Sequence, residues 1–185
     1  MDKLGVVGSK GFSDYVGAIE KTLASGRASE RSHYPALKTL LESLKAGITA
    51  TTEPSRIECG APDLLVRQGS AIIGYVEAKD TGDSLDSAED SEQLRRYLGS
   101  INNLVLTNYL EFRWYADGQP RGAASLGTLG TDGKIKSHKV GITEVAQLLT
   151  AFLEHPPQQV ATPKELAKQM ARLAHRIREL VVQAF

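Results

Sequence analysis

Three side chains stand out for what they could do together: Asp63, Glu77 and Lys79. They lie in the stretches Gly60-Ala61-Pro62-Asp63 and Glu77-Ala78-Lys79, with thirteen residues between Asp63 and Glu77. Pro62 has no N–H to give a strand ladder, so it suits the start of a strand and places Asp63 at that strand's mouth. Side chains alternate along a strand, so Glu77 and Lys79 point one way and Ala78 the other. If the flanking strands pair through a Gly69-Ser70 turn, residues 63 and 77 fall opposite each other, about a side-chain length apart. Two carboxylates with the Ala78 carbonyl between them are oxygen donors suited to a hard divalent cation, Mg²⁺ with Mn²⁺ as a substitute, which keeps waters as further ligands. The Lys79 ammonium would orient or deprotonate an attacking water, or stabilise charge as a phosphodiester opens. A plainer reading stands beside this one, because paired charges across a hairpin are usually a solvated face.

The elements that must position these groups are legible in the spacing of apolar residues. Tyr15, Val16, Ile19 and Leu23 give a short amphipathic helix over Ser13 to Ser25. From Glu30, the residues Tyr34, Leu37, Leu40, Leu41 and Leu44 predict a second helix, with Gly47 as its stop. Ile48 to Thr52, Asp63 to Arg67 and Ala71 to Ala78 read as strands, the last two joined by a tight hairpin at Gly69-Ser70. Asp83 to Leu98 reads as one helix with acidic first turns. Leu104 to Thr107 is an apolar strand of the kind buried inside a sheet, and Leu110 to Tyr115 pairs behind it. Gly118, Gly122, Gly127, Gly130 and Gly133 mark turns or a meander, followed by a helix over Thr143 to Leu153. Pro156-Pro157 interrupts the chain before a last helix from Pro163 to about Ala184, whose five basic and two acidic residues leave it positive. These boundaries suggest a lead-in helix at 1–29, one domain at 30–155 and a helical connector at 156–185.

Composition narrows the classes. The 185 residues carry 22 Lys plus Arg against 22 Asp plus Glu, a net charge of zero, which excludes a protein that binds nucleic acid through bulk positive charge. Hydrophobic residues at 41% describe a globular chain with a real core. The single cysteine, Cys59, supports neither an internal disulfide nor a zinc cluster and reads as a packed thiol in a reducing, cytoplasmic setting. The opening Met1-Asp2-Lys3-Leu4-Gly5 has no apolar signal core, and no apolar run approaches the ~20 residues of a membrane span.

The order helix, three strands, helix, strand, with Pro62-Asp63 and Glu77-Ala78-Lys79 straddling the second and third strands, resembles the PD-(D/E)XK nuclease superfamily. The resemblance covers about residues 28 to 117. It implies a restriction-endonuclease-like α/β fold (αβββαβ), a central mixed sheet flanked by helices, here with extra strands and C-terminal helices. It further implies that Asp63, Glu77 and Lys79 take the places of the family's motif residues. Glu30 is then the acidic residue many members carry on the first helix near the metal, a ligand directly or through water. Gln93-Leu94-Arg95-Arg96-Tyr97 matches a Gln-x-x-x-Tyr element of some of these nucleases, and residues one turn apart can face one site.

The runs Glu30-Arg31-Ser32-His33-Tyr34-Pro35-Ala36-Leu37-Lys38, Ser91 to Tyr97 and Asn103 to Asn108 are similar to the amino-terminal nuclease region of bacterial restriction–modification polypeptides fused to an adenine-specific DNA methyltransferase. That implies double-stranded DNA as substrate, with methyltransferase and target-recognition domains in the same polypeptide and no membrane partner. The methyltransferase itself is not in this sequence, which lacks a glycine-rich cofactor loop and an Asn-Pro-Pro-Tyr tetrapeptide.

Other residues have two readings each. His33, which with Tyr34 lies about one turn from Glu30, reads as a packed or capping histidine or as a group of the site. Gln93 and Tyr97 serve the site or simply the core. Arg95 and Arg96 are phosphate contacts or a solvated helix face. The acidic run Asp80, Asp83, Asp86, Glu89, Asp90 and Glu92 contains no base and would repel DNA unless it faces away. Trp114 and Tyr115 read as packing. The site as a whole leads to an endonuclease expectation. Its rivals are a nuclease-fold interaction module that has lost catalysis, and an unrelated α/β domain with coincidental carboxylates.

Overall fold

The computed structural model describes residues 3–26, 28–52, 54, 57, 59–156 and the isolated positions 170, 171, 174 and 178. Of the helix expected from Pro163 to about Ala184, only positions 170, 171, 174 and 178 are described, and these are helical; the rest lies outside the described residues. The chain opens with α1 (Lys3–Ala24), longer at its N-terminal end than the apolar spacing predicts. A 3₁₀ turn, Glu30–His33, then leads into α2 (Tyr34–Leu44). The helix expected to run from Glu30 is divided there because Pro35, in the first turn of α2, has no N–H to continue a ladder from the turn before it.

Strands β1 (Ile48–Thr52), β2 (Leu64–Gln68) and β3 (Ala71–Ala78) follow. The segment expected as one helix over 83–98 forms two, α3 (Leu85–Glu89) and α4 (Glu92–Leu98). Serines make the division. The Ser84 hydroxyl accepts from the Asp86 N–H, and the Ser91 hydroxyl accepts from Leu94 N–H while donating to the Ala88 carbonyl, so each starts a new helix. The chain continues through β4 (Asn103–Thr107), β5 (Glu111–Ala116), β6 (Gln119–Ser125), a small hairpin of β7 (Gly127–Leu129) and β8 (Ile135–Ser137), and α5 (Lys139–Glu154).

Six strands form one mixed sheet in the order β1-β2-β3-β4-β5-β6. Neighbours are antiparallel except β3 and β4, which run parallel because α3 and α4 intervene as a crossover. Every residue of β4 is buried, the polar Asn103 and Thr107 at its ends as well as the apolar Leu104 to Leu106 between them, as a strand in the middle of a sheet covered on both faces requires. On one face α1, α2 and α5 pack through Phe12, Ile19, Leu37, Leu41, Leu149 and Phe152 against Leu64, Val66, Val76 and Val105. On the other, Leu85, Leu94 and Tyr97 of α3 and α4 cover Leu65, Tyr75, Leu104 and Leu106. Among the described residues no helix is long and apolar enough to cross a membrane.

The β2–β3 hairpin contains one irregularity. Gln68 pairs with Ala71 and Arg67 with Ile72, but Val66 pairs with Gly74, which leaves Ile73 as a bulge. The carbonyl of Ile73 accepts from Asn103 Nδ2 at 3.0 Å; the same amide donates to Phe152 O at 3.0 Å, and its oxygen accepts from Trp114 Nε1 at 2.7 Å. Gly74 is required beside it, since a Cβ there would lie 2.5 Å from the Asn103 carbonyl oxygen and 2.8 Å from the Phe152 ring.

Candidate active site

Asp63 immediately precedes β2, and Leu64 pairs with Val76. Carried one and two residues further, that register sets Asp63 against Glu77 and Pro62 against Ala78. Pro62 has no N–H for the Ala78 carbonyl, and the Ala78 N–H is taken at 2.8 Å by Asp63 Oδ2 rather than by a backbone carbonyl. The strand ladder thus ends in a side chain, with Asp63 clamped to the backbone of β3.

Glu77 and Lys79 share a face of β3, and Lys79 Nζ donates to Glu77 Oε1 at 2.7 Å. Glu77 is 3% exposed, and its other oxygen, Oε2, is buried without a hydrogen-bond partner among the described residues. Burial, and then the charge of Asp63, push the Glu77 carboxyl up to about 7, although Lys79 pulls the other way. An acid so placed calls for a proton or a cation. Burial works against charge on Lys79, but its hydrogen bond to Glu77 and the charges of Glu77, Glu30 and Asp63 outweigh it and raise its pKa. At neutral pH Lys79 is therefore a charged donor and not a base.

Glu30 comes from the 3₁₀ turn and reaches the other two acids through Tyr34, whose hydroxyl is 2.6 Å from Asp63 Oδ1 and 3.1 Å from Glu30 Oε1. Burial, then Asp63, raise the Glu30 pKa. Its backbone is held as well: Tyr109 donates its hydroxyl to the Glu30 carbonyl at 2.6 Å. Tyr109 is itself fixed, with φ of 72°, Thr107 Oγ1 on its N–H and the buried Tyr15 hydroxyl on its carbonyl. His33 packs its ring 4.8 Å from that of Tyr109, and burial lowers its pKa, so it is the packed histidine of the two readings.

Gln93 and Tyr97 face the same way on α4 and bond to each other, Gln93 Nε2 to the Tyr97 hydroxyl, at 3.2 Å. Tyr97 is 1% exposed and packs under Gly60; a Cβ on Gly60, whose φ is +142°, would lie 2.9 Å from the Tyr97 ring. Tyr97 therefore supports the loop that delivers Asp63. Gln93 lines a cleft of about 340 Å³ together with Lys79, Asp83, Ser84, Ser87 and Ser91. The acidic run is partly neutralised from a strand: Arg113 of β5 bonds Glu111, Asp86 and Glu89 at 2.6, 2.7 and 2.8 Å. Arg95 and Arg96 are exposed on α4.

The geometry thus brings together Asp63, Glu77, the Ala78 main chain and Lys79, with Glu30 joined through Tyr34. Among the described residues no three His, Cys, Asp or Glu side chains gather as a complete cage for a metal ion. Two carboxylates, one with a partnerless buried oxygen, fit a cation such as Mg²⁺ that is held by one or two acids and keeps its waters. Tyr34 and Tyr109 are the residues that sequence reasoning did not assign to the site. The only signal for Tyr34 was its position four residues after Glu30.

No protein-family model and no curated protein matches the chain. Among solved structures, it is similar to a chain in the cryo-EM structure of a DrdV–DNA complex, with a TM-score of 0.61 and 21% identity over 85% of its length. It spans only 14% of that chain. The likeness is one of architecture: a mixed six-stranded sheet flanked by helices, consistent with a restriction-endonuclease-like fold.

Proposed function

We propose that this chain is a Mg²⁺-dependent endonuclease domain that hydrolyses phosphodiester bonds in double-stranded DNA. The observation that carries the reading is Glu77, a buried carboxylate opposite Asp63, with one oxygen bonded to Lys79 and the other without a partner. Asp63, Glu77 and the Ala78 carbonyl would hold the cation, with Glu30 as a further ligand directly or through water. A divalent cation held there would supply Lewis acidity to the phosphate and to the attacking water. The chain's own contribution is positional and electrostatic. Lys79 spends one of its three N–H donors on Glu77 and keeps two for the charge that develops on the phosphate. Gln93, Ser84 and Ser87 of the adjoining cleft offer hydrogen bonds to the neighbouring sugar–phosphate backbone.

DNA as the partner is supported by the DNA in the similar structure, and a place within a longer polypeptide by the small share of that chain which this fold occupies. We take that polypeptide to be a restriction–modification enzyme with methyltransferase and target-recognition parts. The reading is tested by incubating the protein with supercoiled plasmid and Mg²⁺ or Mn²⁺. Nicked or linear product that needs the cation and disappears in Glu77→Gln is the expected result. Cleavage that survives in that variant would overturn the site. A folded protein that binds DNA but never cuts it would favour an interaction module.

A further inference from the structure

We infer that Tyr34 is a positioning residue that sets the orientation of Asp63, and with it the affinity of the site for a divalent cation; the inference rests on reading Asp63 as a cation ligand. Its ring is buried in the core with Leu37 and Leu41, so the hydroxyl is presented from a rigid base at the start of α2. A phenol has one proton to donate. The 2.6 Å separation from Asp63 Oδ1 is that of a charge-assisted bond, while Glu30 Oε1 at 3.1 Å takes the weaker share. The other oxygen of Asp63 is held by the Ala78 N–H at 2.8 Å.

Asp63 is therefore pinned at both oxygens, by α2 on one side and by β3 on the other. Two donors on one carboxylate fix the plane of the group and leave a defined pair of lone-pair directions for a ligand. They also withdraw charge from an acid that faces Glu77, easing repulsion between the two. Without Tyr34, Asp63 keeps only the backbone clamp and can turn about its side-chain bonds. Outer groups that orient ligands in this way typically change metal affinity by about 10–100-fold.

The test is calorimetric titration of Mn²⁺ alone into the protein, its Tyr34→Phe variant and its Asp63→Ala variant. Phenylalanine fills the same core volume, so circular dichroism and the melting profile should show a folded protein. The expected result is binding by the parent, near-abolition in Asp63→Ala, and about 10–100-fold weaker binding in Tyr34→Phe. Equal affinity of parent and Tyr34→Phe would overturn the role of Tyr34 while leaving the cation site standing. Binding that is absent from the parent, or indifferent to Asp63→Ala, would remove the site and this inference together. Should Tyr34→Phe fail to fold, fluorotyrosine placed at position 34 supplies a second measurement. Its fluorine resonance should move on adding Mg²⁺ to the folded protein, and an unmoved resonance at saturating cation would overturn the inference.

Discussion

Asp63 stands opposite Glu77 because of a bulge at Ile73, not because of the turn that joins their strands. The hairpin closes with Gln68 against Ala71, and in unbroken register that closure would set Asp63 against Val76, on the wrong face of the sheet. The extra residue at Ile73 restores the offset, and Asn103 holds it through the Ile73 carbonyl. Asn103→Ala should therefore act at a distance. It strands the Trp114 N–H and two carbonyls, a loss of about 2–4 kcal/mol in denaturant unfolding, and it should weaken divalent-cation binding although residue 103 touches no ligand. Unchanged stability would show that the bulge needs no such support.

The two facing acids make the cation-free protein sensitive to pH. The Glu77 carboxyl rises from an ordinary 4.5 to about 7 on folding, so the native state binds more protons than the unfolded chain between those values. Stability from this group is greatest below about 4.5 and falls as pH rises towards about 7, by roughly 3 kcal/mol in all. Thermal melting in chelator should show that decline, and Glu77→Gln should remove it and melt higher than the parent near neutral pH. Mg²⁺ should raise the parent's melting temperature more above neutrality than at about pH 5.5, because cation and proton compete for the same oxygens. A pH-independent effect of Mg²⁺ would place the ion elsewhere.

Lys79 should separate cation binding from chemistry. Lys79→Ala is expected to keep the fold and the cation but to lose cleavage by roughly 10²–10⁴-fold. Lys79→Arg should not restore it, because the larger, planar guanidinium does not fit the 2.7 Å contact with Glu77 in the same geometry. Full plasmid cleavage by Lys79→Ala would reduce the lysine to a surface charge.

Gly60 and Tyr97 should behave as one unit. Gly60→Ala meets both a disfavoured backbone angle and the Tyr97 ring, and should cost about 1–3 kcal/mol while disturbing Asp63. Combining it with Tyr97→Leu relieves the collision, so the two effects on unfolding free energy should fall short of their sum. Strict additivity would mean that the contact carries no energy.

What the sequence made legible was local. β1 and β3 were readable to the residue, since Ile48 to Thr52 and Ala71 to Ala78 are β-rich runs closed by Gly47 and Gly69-Ser70. Strand alternation and one hairpin bring Asp63, Glu77 and Lys79 to the same end of the sheet, but the register that sets Asp63 against Glu77 comes from the bulge and not from the turn. The break at Ser91 was hidden by a helical periodicity that continues across it. Tyr34 and Tyr109 were not legible as parts of the site, because their hydroxyls bond to groups 29 and 79 residues away in sequence. The bulge was invisible for the same reason, since its partner Asn103 lies on another strand.

With no net charge and an acidic segment beside the cleft, this chain alone should bind DNA weakly and lose that binding as salt rises. A gel-shift titration that found tight, sequence-selective binding at physiological salt would place recognition inside these residues instead.

The central claim, a cation held between Asp63 and Glu77, is tested most directly by anomalous diffraction from crystals soaked in Mn²⁺. The expected result is an anomalous peak within bonding distance of Asp63 and of Glu77 Oε2, absent from crystals of Asp63→Ala. Manganese found only elsewhere, or no peak between the two carboxylates at saturating Mn²⁺, would contradict it.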